Sequence, residues 1–383
     1  MNKAFLCQVC SAGRLELIDS YARIPRVTSD CKPWPAGGKM AVCGDCGAVQ
    51  KLPDAVWLDE IGRIYRDYQI YDLSNGAEQV IFNGAGNAAP RSRTLVDFLL
   101  RAISPPAMGK LIDIGCGNGA ALGTFSSAPT LSRWSLYGSE LSASALPALK
   151  ALPNFVELFV GDLDDIKERF DIVTMIHSLE HMPAPTQSLV QALRLLAAGG
   201  TLFVEVPDVE TSPFDLIVAD HLMHFSRVTL RYLASRVGCS VRILRNDVLP
   251  KEITFVAQLG ASPAQKPDAS QGADIARAGV DWLQRVIDAA DAAAARGAPF
   301  GIFGTSISAM WLYGARPGRV AFFVDEDRTR IGRNIDGRPI VAPADIPAGA
   351  TVFVPLVPAV AERVIARLST PNAQLIAPPV LVQ

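Results

Sequence analysis

The sequence predicts an α/β protein in three segments: a small cysteine-bearing module, a central unit on a mostly parallel sheet, and a second, smaller α/β unit. Three observations predict it. Two CxxC pairs stand near the start, at 7–10 and 43–46. From about residue 109, short apolar runs alternate with helical stretches, the rhythm of a parallel sheet covered on both faces. That rhythm returns after "LGASPAQKPDASQG", a linker near 259–272. The expected bounds are 1–58, 59–262 and 263–383, since 383 residues exceed what one hydrophobic core usually serves.

Composition narrows the partners. Lys plus Arg (36) nearly balances Asp plus Glu (38), so there is no electrostatic footprint for nucleic acid. The start, "MNKAFLCQVC", lacks the apolar stretch of a signal peptide, and no run approaches the ~20 apolar residues that span a bilayer. The expectation is a soluble, cytoplasmic protein with neither nucleic acid nor membrane as partner. Its seven cysteines are then metal ligands or buried thiols rather than disulfides.

In the first segment, Cys7 and Cys10 of "CQVC" and Cys43 and Cys46 of "CGDC" supply four thiolates at the spacing of a tetrahedral structural zinc site. The alternative is a redox dithiol or unrelated thiols. Four thiolates leave no open coordination position, so such a zinc holds the module together and does no chemistry. Cys31 is an unpaired extra. Ile61, Ile64, Tyr65, Tyr68 and Tyr71 then recur at helical spacing. Tyr68 and Tyr71 are candidate substrate contacts if a site lies beside them.

The central unit's apolar runs are "KLIDIG", "WSLYGSEL", "FVELFVGD", "FDIVTMIH" and "GTLFVEVPD". Ligands of such sheets sit at the carboxyl ends of the strands. "LIDIGCGNGA" places Asp113, Gly115, Gly117 and Gly119 directly after a strand, where glycines let backbone amides approach a ligand. Glu140 ends the next strand, suited to ribose hydroxyls, and Asp162 ends the third. A dinucleotide site would prefer GxGxxG, whereas these glycines alternate. The succession resembles the class I S-adenosylmethionine-dependent methyltransferases, which implies S-adenosylmethionine as cofactor. His177, at the fourth strand's end, is a packed or cofactor-lining histidine.

Past the linker, Val280, Leu283, Ile287 and Ala290 form the apolar stripe of a long helix ending near Gly297. "FGIFGTSISAMWLYG", "VAFFVDED" and "ATVFVPLVP" then repeat the strand and helix rhythm. With "CQVC" and "VCGDCGAVQ" ahead of the core and "GIFGTSISA", "FFVDED" and "GRPIVAPADIP" behind it, nearly the whole chain resembles the three-part bacterial sugar methyltransferases. The best-known members methylate carbon of nucleotide-linked 4-keto sugars. The resemblance implies zinc in the first segment, S-adenosylmethionine in the second, and a nucleotide-linked sugar as substrate partner, held with help from the third.

All four histidines lie between 177 and 224. The family's stretch YHEHLSYFS corresponds to residues 218–226. His221 is kept, Asp220 replaces the acid, Val218 replaces the tyrosine, and His224 stands where the second tyrosine would be. His181 matches the other histidine common in the family's site. Carbon methylation beside a ketone needs a base and donors to the enolate, while O-methylation needs one base on a hydroxyl. His221 is the expected base, oriented by Asp220 or another acceptor, with His181 and His224 as further catalytic candidates. Either Tyr68 or Tyr71 supplies the hydroxyl missing at Val218, or the nucleophile is not a carbanion. The family's YGAxxKG becomes "FGTSISA" without its lysine, although that loop's amides could still receive a phosphate or ribose and Asp325 a ribose hydroxyl. The resulting reading is a methyltransferase of a nucleotide-linked sugar or related carbohydrate, at carbon or oxygen, or less readily at nitrogen. The alternatives are a zinc-bearing scaffold that has lost catalysis and an RNA methyltransferase.

Overall fold

The computed structural model describes residues 5–68, 78, 80–82, 88–261, 263, 265–368 and 373–381. Tyr71 lies outside them. The central unit is a seven-stranded sheet of β1 (Lys110–Ile114), β2 (Ser135–Glu140), β3 (Phe155–Val160), β4 (Phe170–Ile176), β5 (Leu196–Pro207), β6 (Cys239–Arg245) and β7 (Glu252–Leu259), in the order β3-β2-β1-β4-β5-β7-β6. The first five strands run parallel, and β7 is antiparallel to both β5 and β6. Leu111, Ile112, Val173, Met175 and the run Leu202–Val204 are fully buried or nearly so, as strands covered on both faces require. Val156 and Val160, on the edge strand β3, remain exposed. This is the fold of class I S-adenosylmethionine-dependent methyltransferases. Strand order reverses at β1, which has β2 on one side and β4 on the other, so a ligand crevice opens at their carboxyl ends.

The cysteine module is not self-contained. Its antiparallel strands Leu15–Leu17, Met40–Cys43 and Val49–Lys51 take a fourth, Met223–His224, from the central unit, with Val49 opposite His224 and Gln50 opposite Met223. A hairpin of Arg26–Val27 and Pro33–Trp34 runs beside the same stretch through a bridge from Val27 to Val218. The predicted helix of this region spans Ala55–Arg66, capped by the Asp54 side chain accepting from Trp57 N. It is fastened to the hairpin by a buried two-pronged pair, Arg26 with Glu60, at 2.7 and 2.8 Å.

The long helix runs Ala269–Ala294, so the linker read to 272 already ends in its first turn. Gly272 is required there, because a Cβ would come within 1.8 Å of Gly47 O in the second cysteine knuckle. The predicted stripe Val280, Leu283, Ile287 and Ala290 is buried in one core with Ile24, Val27 and Val42 of the module and Phe300 and Trp311 of the third segment. That segment holds a six-stranded sheet, parallel except for Asn334–Ile335. Its helix Ile307–Ala315 packs on the hairpin, with Trp311 Nε1 donating to Pro25 O at 2.7 Å. Among the described residues no helix is long and apolar enough to cross a membrane.

Candidate active site

The four predicted cysteines converge. Cys7 and Cys46 sulfurs are 3.6 Å apart, Cys10 and Cys43 sulfurs 3.5 Å, and all four lie within 4.8 Å of one another. A disulfide would need ~2.05 Å, whereas zinc at ~2.3 Å from four sulfurs sets them ~3.8 Å apart. The two knuckles share one construction. Ser11 and Gly47, each one past the second cysteine, take left-handed φ of 63° and 68°, and their N–H groups close on Cys7 O and Cys43 O. Backbone amides of Val9, Cys10 and Asp45 point at the first sulfur of each pair at 3.4 Å, placing donors around thiolate charge. The cluster fits zinc.

The glycine loop leaves β1 as expected. Gly115, Gly117 and Gly119 have φ of 72°, 54° and 85°, where side chains are strained. A Cβ on Gly115 would meet Ser178 Cβ at 2.6 Å, and one on Gly119 would meet Leu149 at 2.4 Å. At Gly117 a Cβ would meet nothing within 4 Å, so this backbone borders open space, as close approach by a ligand requires. Glu140, at the end of β2, accepts from Gly117 N at 2.8 Å and Leu141 N at 2.7 Å. Asp113 is buried under the loop and accepts from the Thr174 hydroxyl at 2.6 Å, and burial pushes its carboxyl up to about 7. Asp162 is exposed and accepts from Asp164 N and Gln191, which makes it a cap of its own turn.

The histidines gather in the segments that follow β4 and β5, where the His221 ring centroid lies 4.5 Å from that of His181 and 6.4 Å from that of His224. The contact of Gly115 with Ser178 sets the glycine loop against the turn carrying His177 and His181. His177, at φ 51°, is held between Glu180 and Glu252, both at 3.1 Å, and Arg91 also pairs with Glu252. Burial holds the His177 ring well below the usual imidazole range. Glu205, beneath it, is fully buried, and burial with Glu252 nearby keeps its carboxyl well above the usual range.

His221 is oriented by Asp215, not by its neighbour Asp220. Its Nδ1 meets Asp215 Oδ1 at 2.7 Å, and His224 Nδ1 meets Asp215 Oδ2 at 2.7 Å. Against the cost of burial, His224 and His221 hold Asp215 well below the usual carboxylate range. With Asp215 ionised, both Nδ1 atoms donate and both Nε2 atoms keep their lone pairs. Burial, helped by His181, pushes His221 down to about 4, so it is neutral near pH 7. Asp220 instead turns to His181 Nδ1, at 3.2 Å, and to Ser29 N and Oγ. Burial opposes the His181 charge, but the bond from Asp220 outweighs it and raises the ring's pKa. The His181 and His221 rings meet edge to face with centroids 4.5 Å apart.

The first segment positions this stretch along its length. Ala219 N donates to Val27 O, Lys51 N to Leu222 O, and Trp57 Nε1 to Ala219 O. Lys51, fully buried, donates its Nζ to Val218 O and His221 O, and burial pushes it down to about 7. Tyr65, in the last turn of helix Ala55–Arg66, places its hydroxyl 3.1 Å from His181 Nδ1. Tyr68 lies farther out, its hydroxyl 3.1 Å from the Ser29 Oγ that donates to Asp220. Sequence reasoning missed Asp215, Glu180, Tyr65, Ser29 and Lys51; only Glu180, beside His181 in "SLEH", carried a signal. In the third segment Asp325 accepts from the Thr305 hydroxyl at 2.7 Å, which in turn accepts from Arg330 at 2.9 Å. A cavity of about 310 Å³ opens beside Ser29, lined by Thr28, Asp30, Lys32, Arg63, Arg66 and Asp67 among others.

Residues 87–243 match the family described as a methyltransferase domain. A mitochondrial ubiquinone biosynthesis O-methyltransferase of Candida albicans is 35% identical over 103 residues, 24% of this chain and 31% of that protein. An uncharacterised protein from a transposon of Streptomyces fradiae is 26% identical over 173 residues, 43% of this chain and 47% of that one. The chain thus spans between about a third and a half of the length of these curated relatives. Among solved structures, an S-adenosylmethionine-dependent methyltransferase from Clostridium acetobutylicum aligns with a TM-score of 0.38 and 9% identity, covering 53% of this chain and 99% of that one. The central unit of this chain thus matches a methyltransferase domain and has the sheet order of the class I fold.

Proposed function

We propose that the chain transfers a methyl group from S-adenosylmethionine to carbon or oxygen of a nucleotide-linked sugar or related carbohydrate. The observation that carries this reading is His221: neutral, braced at Nδ1 by the ionised Asp215, and packed on His181, whose turn abuts Gly115 of the glycine loop through Ser178. Gly115, Gly117, Gly119 and Glu140 would hold the cofactor, which supplies an electrophilic methyl when bound. His221 Nε2 takes the proton from the acceptor's O–H or C–H, whose electron pair forms the new bond to the methyl as the sulfur–methyl bond breaks. The resulting imidazolium is stabilised by Asp215. The Tyr65 hydroxyl, on His181, supplies the polarising group that Val218 lacks. In the same reading the four cysteines hold a structural zinc, which keeps the strand Met223–His224 in place through the module's sheet.

The sugar assignment is supported by the three-part organisation and by the cavity beside Ser29, whose lining carries Lys32, Arg63 and Arg66 for a diphosphate alongside Asp30 and Asp67. The test is an NMR spectrum of products from methyl-carbon-13-labelled S-adenosylmethionine and a panel of keto and non-keto nucleotide-linked sugars. A methyl coupled to ring carbon establishes C-methylation, and a methoxy signal establishes O-methylation. Label appearing in RNA and in no sugar overturns the substrate. Absence of cofactor binding overturns the enzyme in favour of a scaffold.

A further inference from the structure

The pair His181 and His221 is built with more than a proton acceptor requires. In both rings it is Nδ1 that meets a carboxylate, Asp220 at 3.2 Å and Asp215 at 2.7 Å. Each ring therefore presents its Nε2 outward from its brace, the arrangement by which carboxylates orient imidazoles for a metal. Glu180 completes the group. It is fully buried, its Oε1 is engaged by His177 at 3.1 Å, and its Oε2 is buried with no partner among the described residues. One ligand atom from each of Glu180, His181 and His221 lies within 4.8 Å of the other two. A buried carboxylate oxygen without a donor is costly, and a cation is the partner that two adjacent imidazole nitrogens would share with it.

We propose that Glu180, His181 and His221 form a divalent transition-metal site in the acceptor cleft, distinct from the four cysteines. Two nitrogens and one oxygen suit zinc, cobalt or nickel rather than magnesium or calcium, which take oxygen ligands. Three protein ligands leave positions open to water or to oxygens of the acceptor. The consequence for catalysis rests on the reading of His221 as proton acceptor. Metal and proton compete for the same Nε2, so a loaded site is a resting form that must release its cation before turnover.

The test uses the full chain reconstituted with Co2+. The cysteine site gives intense sulfur-to-cobalt charge-transfer absorption, while the proposed site gives only weak d–d bands, so the two are read in one sample. The expected result is a second equivalent of cobalt whose bands vanish in Glu180→Gln and in His181→Asn while the charge-transfer absorption persists, showing the module still folded. Asp215→Asn and Asp220→Asn, which remove the braces, weaken that second equivalent about 10- to 100-fold. Cobalt confined to the cysteines, or second-site bands that survive both Glu180→Gln and His181→Asn, overturns the site. Turnover undiminished while the second site is filled leaves the site standing and removes His221 as proton acceptor.

Discussion

The two halves of the site are assembled from the chain in opposite ways. The half that faces the glycine loop comes from one stretch of the central sheet: β1, the turn with Gly115, Gly117 and Gly119, and Glu140 at the end of β2. The half around the histidines is drawn together from afar. Asp220 bonds Ser29 across 191 residues, His221 O receives Lys51 across 170, and His181 meets Tyr65 across 116. The first half therefore depends on the central sheet, and the second on the cysteine module whose sheet carries His224 as its outer strand.

The comparison breaks most readily at the cysteines. Structural zinc contributes on the order of 10 kcal/mol to the folding of small modules. Cys43→Ser should release metal, free the strand Met223–His224 and abolish turnover, while calorimetry still shows S-adenosylmethionine binding. Retained turnover would mean that the histidine half stands without the module. Next in size is His221→Gln, expected to lower turnover about 10²–10⁴-fold at unchanged cofactor affinity. A matching loss of affinity would place His221 in the other half.

Gly115→Ala should act on the opposite side. Its methyl meets Ser178 at 2.6 Å on a left-handed backbone, a strain of about 1–3 kcal/mol. Cofactor affinity should drop about tenfold or more, with metal content of the module untouched. Metal loss in this variant would contradict the separation.

The smallest effect is on stability against pH. His221 is held at about 4, below the ~6.5 of an unfolded histidine, so the unfolded chain binds the extra proton first. Stability should fall as pH drops from ~6.5 toward ~4, by a few kcal/mol at most. Asp215 and Asp220 have depressed values, so their contribution holds above the usual carboxylate range and is lost only at still lower pH. His221→Gln should lessen the fall in melting temperature between pH ~6.5 and ~4 without abolishing it, because His177 and His224 are also held below the usual imidazole range; an unchanged slope would show that His221 carries none of it.

The same division governs what the sequence disclosed. Alternating glycines after an apolar run, an acid at the next strand's end and paired CxxC spacings are local patterns, and the structure sets each in the element expected of it. Asp215 was hidden because adjacency along the chain misleads. Asp220 precedes His221, yet in a tight turn the two side chains diverge, and Asp220 reaches His181 while Asp215 comes back to His221. Tyr65 was read as one tyrosine of a periodic set. The helix stops at Arg66, so Tyr65 keeps its helical direction toward His181, while Tyr68 beyond it meets Ser29. The fourth strand of the cysteine sheet, two residues long, had no periodicity to show.

The most direct test of the two-half account is a calorimetric titration of S-adenosylmethionine into Gly117→Ala and His221→Gln. A Cβ at Gly117 meets no protein atom within 4 Å, so its cost to the fold is the left-handed backbone strain alone, whereas a ligand at that backbone would be blocked. The account predicts binding weakened about tenfold or more in Gly117→Ala and unchanged in His221→Gln. Unchanged binding in Gly117→Ala with loss in His221→Gln would contradict it.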